Sequence, residues 1–304
     1  MDNEVKTKKS SLVEKIKNFD FKDFLRNHSY ELAAYVGFIL CLIVFSIAVP
    51  SVSGLSFWRV AVIKKFIEQV TVLMILAIGA SFVYMMGCMD ISVGYQVGVF
   101  GTLFIMITNA TGSAFVAILT IVSLGIICAI FNAIVGAYVK LPMVMSSVIL
   151  MQLFSGLMTY LYTDLGFADR KLAQLDMAFA DSTAFRIISI IILALVALYL
   201  INYTRIGKRA KAIGTNKNAA SQTGVDLLKT RIICYGIFSL FLCVAALFLI
   251  ARKNGLGESD SSSYQMDIMI MLLMGGMPLS GGMKCKLGNA IVGTMTYVLL
   301  TLGL

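Results

Sequence analysis

Runs of apolar residues long enough to cross a bilayer recur along almost the whole chain, and they constrain the fold more than any other feature. They fall at about Leu32 to Val49, Phe66 to Gly87, Val93 to Thr108, Ala114 to Val139, Pro142 to Tyr162, Phe185 to Tyr203 and Ile232 to Ala251. A helix needs roughly 20 such residues to span the hydrocarbon, where its N–H and C=O groups find partners only within the helix. With 59% of its residues hydrophobic and 13% charged, the chain has too little polar surface to cover a water-soluble core; soluble domains carry about a quarter charged residues. The expected fold is an all-α, polytopic transmembrane helical bundle of about eight to ten membrane segments. One segment is expected to be re-entrant or broken. The run from Tyr264 to Gly276 is too short to span, carries Asp267 and leads into the glycine-rich stretch Gly275 to Gly282, a pattern that suits a piece buried in protein. A last apolar run extends from Leu287 to Leu304.

Residues 1–30 mix lysines with acids, and Phe19, Phe21, Phe24 and Leu25 suggest a short helix at the membrane surface, so this stretch reads as a cytoplasmic lead-in to a membrane domain at 31–304. The charged stretch before the first apolar run is not the layout of a signal peptide, and an uncleaved chain is expected. The net charge of +9 sits in loops between apolar runs rather than on one soluble face, which argues for a topology signal and against a nucleic-acid partner. Placing the N-terminus inside and alternating puts about 17 of the 25 Lys and Arg residues on the cytoplasmic side, the bias such loops show. Arg59, Lys64 and Lys65 run against it and suggest an amphipathic outer start to the second span. The six cysteines form no C-x-x-C pair and mostly lie in apolar runs, as small buried hydrophobes do.

The stretch 204–231 is the longest polar connection predicted on the inner side. Thr215 or Asn216 is placed to cap a short helix, Ala219 and Ala220 give it a small smooth face, and Gly224 suits the left-handed residue that ends it. Two readings follow: a solvated connector held near headgroups by its lysines, or a docking helix whose alanines permit close approach to a soluble partner. Asp90, after a glycine-containing turn and before Ser92, is expected to accept hydrogen bonds at a helix start, with proton coupling or solute contact as the alternative. Gly94, Gly98 and Gly101 form a bare stripe suited to tight helix packing. Tyr95, Gln96 and Phe100 nearby are candidates for a solute path, since a sugar favours aromatic faces and an amide.

No G-x-x-x-x-G-K-[ST] phosphate loop occurs, so energy from ATP would have to come from a partner. His28 is the single histidine, and it lies in the lead-in, which speaks against His-based triads and an imidazole metal site. No catalytic residue, metal ligand or cofactor bound by this chain is therefore expected. An ion-coupled secondary transporter of a small polar solute is the alternative function, with Glu68, Asp90 and Asp267 as its available acids, each near a segment end.

The pattern formed by Gly207, Ala212, Gly214, Asn216, Ala219, Ala220 and Gly224 resembles the coupling loop of bacterial monosaccharide ABC importer permeases of the ribose, xylose and galactose group. Two further stretches are similar to the same family: Gly87 to Gly94, with Asp90 and Ser92, resembles its G-G-I-D-L-S-V-G, and Gly275, Gly276, Gly281 and Gly282 frame a version of its G-G-T-S-L-x-G-G. Cys88 replaces a glycine, Met277 and Pro278 replace Thr-Ser, and Lys284 replaces a further glycine. The resemblance runs from about Phe57 to the last residue. It implies a multi-pass permease of the bacterial cell membrane, docked through the coupling loop to an ATP-binding cassette subunit that uses ATP and Mg. It also implies a second permease chain, an extracytoplasmic solute-binding protein and a monosaccharide or related solute. Family members generally continue for one more spanning segment, so by this resemblance the chain is expected to be truncated at its C-terminus.

Overall fold

The computed structural model describes residues 29–53, 57–138, 143–164, 180 and 182–303. The surface helix expected around Phe19 to Leu25 and the basic residues Lys140, Arg170 and Lys171 lie outside the described residues. Among the described residues eleven α-helices follow one another: α1 (Ser29–Ser53), α2 (Val60–Tyr84), α3 (Val93–Thr111), α4 (Ala114–Tyr138), α5 (Met143–Thr159, continued by a π-helical turn Tyr160–Asp164), α6 (Thr183–Tyr203), α7 (Arg205–Thr215), α8 (Lys217–Gln222), α9 (Leu227–Lys253), α10 (Tyr264–Met274) and α11 (Leu287–Gly303). No strand occurs among the described residues. Seven helices, α1 to α6 and α9, are long and apolar enough to cross a membrane, and α10 and α11 are shorter apolar helices. This is the polytopic all-α bundle that the apolar runs predict.

Burial sorts the spans into a centre and a rim. Every residue of α2 from Val70 to Tyr84 is buried, and α9 buries Phe238, Leu242, Ala245, Ala246 and Leu249 beside it. A helix apolar all round is one that other helices surround. The rim helices turn apolar residues outward instead, with Ile39, Ile43 and Ile47 of α1 and Ile188, Ile191, Ile192 and Leu195 of α6 exposed, as suits contact with lipid. Several hydroxyls in the apolar helices fold back on their own helices, as Ser81 Oγ does onto the Ala77 carbonyl at 2.8 Å and Thr294 Oγ1 onto Ala290 at 2.7 Å, which satisfies those donors where lipid offers no partner.

The short α10 bears out the expectation of a re-entrant piece. Its 11 residues reach about 16 Å, half of a hydrocarbon core of about 30 Å. The missing half is filled by residues 254–263, which turn back from α9 at Asn254, a left-handed residue with φ 53°, and descend into the bundle. There the glycine stripe of α3 meets a partner that differs from the expected helix. A Cβ on Gly94 would stand 2.5 Å from the Ser261 carbonyl oxygen, one on Gly98 2.5 Å from Ser261 Oγ, and one on Gly101 2.2 Å from Leu256 Cδ1. An irregular segment is wider than a helix flank at its carbonyls, and a bare α3 face gives it room.

α10 and α11 cross at backbone contact, where a Cβ on Gly275 would fall 1.8 Å from the Asn289 carbonyl oxygen and one on Gly293 1.8 Å from that of Met271. Substituting Gly275→Ala or Gly293→Ala is expected to lower the thermal stability of the purified protein by several degrees, because overpacking costs about 1–3 kcal/mol and backbone cannot yield as a side chain does. Gly156→Ala, at a helical position with open space around it, should leave the melting temperature within about 2 °C of the parent. Equal melting curves for all three variants would contradict the crossing.

Candidate functional site

Stretch 204–231 folds as two short helices rather than one. Thr204 caps α7, and its side chain accepts from Ile206 N. Gly207, Ala210 and Ile213 turn inward at a spacing of three residues and bury one face of α7 on the bundle, while Arg205, Lys208 and Arg209 stay exposed. Asn216 ends α7 and caps α8, its Oδ1 accepting from Asn218 N at 3.0 Å and Ala219 N at 3.1 Å. Gly224 follows α8 with φ +80°, and a side chain there would meet nothing within 4 Å; its requirement is backbone conformation alone. The alanine pair divides: Ala219 is exposed, whereas Ala220 packs into the main core, and Ala212 is half-buried against it. Asp226 then caps α9 by accepting from Lys229 N at 3.0 Å, a bond that holds its carboxyl below the usual carboxylate range. Lys211 lies partly under the bundle edge, and burial draws its ammonium below the ordinary lysine value.

The three family-like stretches meet at one junction. Gly282 N donates to the Met85 carbonyl at 2.9 Å, joining the turn after α2 to the turn after α10. Gly214, near the end of α7, faces that bond: a Cβ on it would stand 2.1 Å from Met85 O and 2.5 Å from Gly282 N. Thr215 rests on Gly282, and Gly281 lies against the carbonyls of Tyr84 and Met85. Gly281 and Gly282 both have positive φ, 74° and 95°, which only glycine adopts without strain. Gly275 forms the crossing with α11, and the carbonyl of Gly276 accepts from Asn289 Nδ2 at 3.2 Å. Residues 214, 85 and 282 are thus backbone against backbone, with no flexible side chain between them.

Asp90 lies in the same turn after α2, buried. Its Oδ1 accepts from Ser92 N at 2.9 Å and from the Ser92 hydroxyl, and its Oδ2 accepts from Asn132 Nδ2 of α4 at 3.3 Å. Ser92 is the cap residue of α3, so Asp90 serves the helix start from two residues ahead of it and ties that start to α4. Ile91 N donates to Ser147 Oγ of α5 at 3.2 Å. Gln96 Nε2 continues the network to Ser92 Oγ. Phe100 is fully buried, edge-on to Phe154 with ring centres 6.5 Å apart, and Tyr95 is half-buried beside Val99 and Met158. Asn132, Ser147 and Met85 take part without any motif of their own; an Asn or Ser inside an apolar run is the one signal that sequence offers for the first two. The remaining acids are engaged: Asp267 Oδ1 accepts from Tyr297 Oη at 2.6 Å, and Glu68 Oε1 lies 4.0 Å from Arg186 Nη1.

A sequence profile for the family described as "Branched-chain amino acid transport system / permease component" matches residues 62–304. The chain is similar to the ribose import permease protein RbsC of Escherichia coli K12, 24% identical over 267 residues that cover 85% of this chain and 82% of that protein. It is similar also to the RbsC of Haemophilus influenzae, 24% identical over 84% of this chain and 83% of the relative. The autoinducer 2 import system permease protein LsrC of Salmonella typhimurium is 28% identical over 84% of this chain and 73% of its own length. No solved structure matches the chain.

Replacing Asp90 tests the buried network. Asp90→Asn keeps an oxygen for Ser92 and offers an NH2 to Asn132, whose amide flips to present its otherwise unpartnered Oδ1 as acceptor, whereas Asp90→Leu orphans three buried donors at about 1–3 kcal/mol each. In gel-filtration melting assays Asp90→Asn should stay within a few degrees of the parent and Asp90→Leu should be largely aggregated; equal loss in both would show that the charge itself is required.

Proposed function

The chain belongs to the branched-chain amino acid transport system / permease component family, and from that premise we propose that it is the membrane permease of an ATP-driven importer for a monosaccharide or related small polar solute. The relatives carry the solute class, since their names specify ribose and autoinducer 2 import. The ion-coupled alternative has no such support, and Asp267, Glu68 and Asp90 all have partners within the bundle.

The observation that carries the mechanism is the junction of Gly214 with Met85 and Gly282. The α7–α8 segment, with Ala219 outward and Arg205, Lys208, Arg209 and Lys217 exposed around it, is the docking surface for an ATP-binding cassette subunit, and its side of the bundle faces the cytoplasm. ATP and Mg act in that partner. When the partner closes, α7 moves, and because Gly214 touches main chain on both neighbours, the turns after α2 and α10 must move with it or break the Gly282–Met85 hydrogen bond. A second permease chain would complete the route, and an extracytoplasmic binding protein would deliver the solute to the opposite side.

Ala219→Asp puts an unpaired charge at the docking face without touching the core. Burying it should cost several kcal/mol, or more than about 100-fold in affinity. The variant is expected to reach the membrane at parental levels yet fail to co-purify with the ATPase subunit and fail in uptake; undiminished co-purification and uptake would remove the docking assignment.

A further inference from the structure

Residues 254–263 form a polar strap in an apolar bundle. From the level of Gly101 to that of Gly94 the strap follows α3 for about 10 Å, and it carries Glu258, Ser259, Asp260, Ser261, Ser262 and Ser263. Leu256 and Ser261 are buried against the α3 glycines. Among the described residues no hydrogen bond joins the strap to α3; its polar attachments lie elsewhere. Tyr162 Oη donates to the Leu256 carbonyl at 2.7 Å, Thr159 Oγ1 donates to Glu258 Oε1 at 2.8 Å, and Tyr162 Oη is also 3.2 Å from Thr102 Oγ1. Lys253 pairs with Asp260, whose other oxygen accepts from Gly257 N at 2.8 Å. The latch residues Thr159 and Tyr162 sit where α5 passes into a π-helical turn, a departure from regular helix that frequently accompanies function.

A smooth, unbonded face on one side and a few polar latches on the other make a seal that releases without breaking the helices around it. We propose that strap 254–263 is the gate on the solute-receiving side: seated on Gly94, Gly98 and Gly101 it closes the route, and freed from Thr159 and Tyr162 it withdraws so that its serine hydroxyls face a hydroxyl-rich solute. The side assigned to it rests on the importer reading, which puts α7 and α8 at the opposite, cytoplasmic end.

The gate is tested first without any partner, on the full chain in liposomes. Ser261→Cys is reacted with a membrane-impermeant maleimide, alone and combined with Thr159→Val and Tyr162→Phe, with the unmodified chain as background for the native cysteines. Removing the two latch bonds is expected to raise the labelling rate about tenfold, while exposed Ser259→Cys labels quickly in both backgrounds. Equal Ser261→Cys rates with and without the latch, in protein of normal gel-filtration profile, would overturn the gate. The second test uses the assembled importer. A Cβ on Gly98 lies 2.5 Å from Ser261 Oγ, close enough for Gly98→Cys and Ser261→Cys to form a disulfide with little backbone movement. The oxidised pair should keep the ATPase subunit bound yet stop uptake, and reduction should restore it. Uptake by the oxidised pair equal to that of the reduced pair would also overturn the gate. Absence of ATP-driven uptake by the unmodified chain would count against the importer reading, and the labelling rates, which need no partner, would still decide the gate.

Discussion

A backbone amide or carbonyl inside a bilayer has no water to bond, and that one constraint shapes this molecule wherever it departs from helix. Among the described residues three such departures penetrate the bundle: the turn after α2, strap 254–263 and the turn after α10. Each is packed against protein. The first and third satisfy each other through Gly282 N and Met85 O, and the strap is roofed by the bare face of α3. Glycine recurs at these places because a carbonyl seated where a Cβ would be needs the Cβ gone. The spanning helices around them are ordinary; the irregular segments set how closely and where those helices pack.

The helices were legible because span length and apolar composition are fixed by the bilayer. α4 follows its run closely, α9 starts at Leu227, five residues before its run, because Asp226 caps a polar first turn, and even the half-length of α10 could be read from Tyr264 to Gly276. Contacts were less legible. Arg231, one basic residue among many in the count by loops, donates through Nη1 to the Gly136 carbonyl at 3.0 Å and so supplies a cation to the last turn of α4, where the dipole favours one. Arg186 is buried with its Nε on the Ala180 carbonyl at 3.0 Å. Charge counting places a residue on a side of the membrane and says nothing about which carbonyl it will meet. Asn132 is the clearest case: nothing in its local sequence names Asp90, 42 positions away, as its partner.

The glycine motifs were legible as motifs and not as an assembly. Gly214, Gly87 and the pair Gly281–Gly282 are far apart in the chain, and each alone satisfies a local explanation, a turn or a cap. In space they share one contact, since the space a side chain would occupy on Gly87 holds the Ser280 carbonyl oxygen at 2.7 Å and that on Gly281 holds Gly87 N at 2.3 Å. Residues chosen for their smallness carry no chemistry for a sequence reading to seize; their meaning is the main chain that comes to fill the gap.

This arrangement also bears on how two ends of a bundle communicate. Coupling over such a distance needs an element with two arrangements that both sites bias, rather than mere spatial intermediacy. α10 is suited to that part. Its first turn follows directly on Ser263 of the strap, and its last residue, Met274, leads into Gly275 and the junction. A helix of about 16 Å is stiff, so a shift at the junction reaches the strap as translation or tilt of one rod instead of being absorbed along the way. At the crossing with α11, Gly275 and Gly293 meet main chain to main chain, so a shift of α10 is passed to α11 as well, while Ile268, Met271 and Leu272 hold its side in the bundle. Among the described residues two polar tethers join α10 to α11: the hydrogen bond from Tyr297 Oη to Asp267 at 2.6 Å, in the first turn of α10 beside the strap, and that from Asn289 Nδ2 to the Gly276 carbonyl at 3.2 Å, at the junction end. A full-length span in this place would be anchored by side-chain packing at both membrane faces. A half-span joined to irregular chain at each end is free to follow either, which gives the re-entrant piece a mechanical reason to be short.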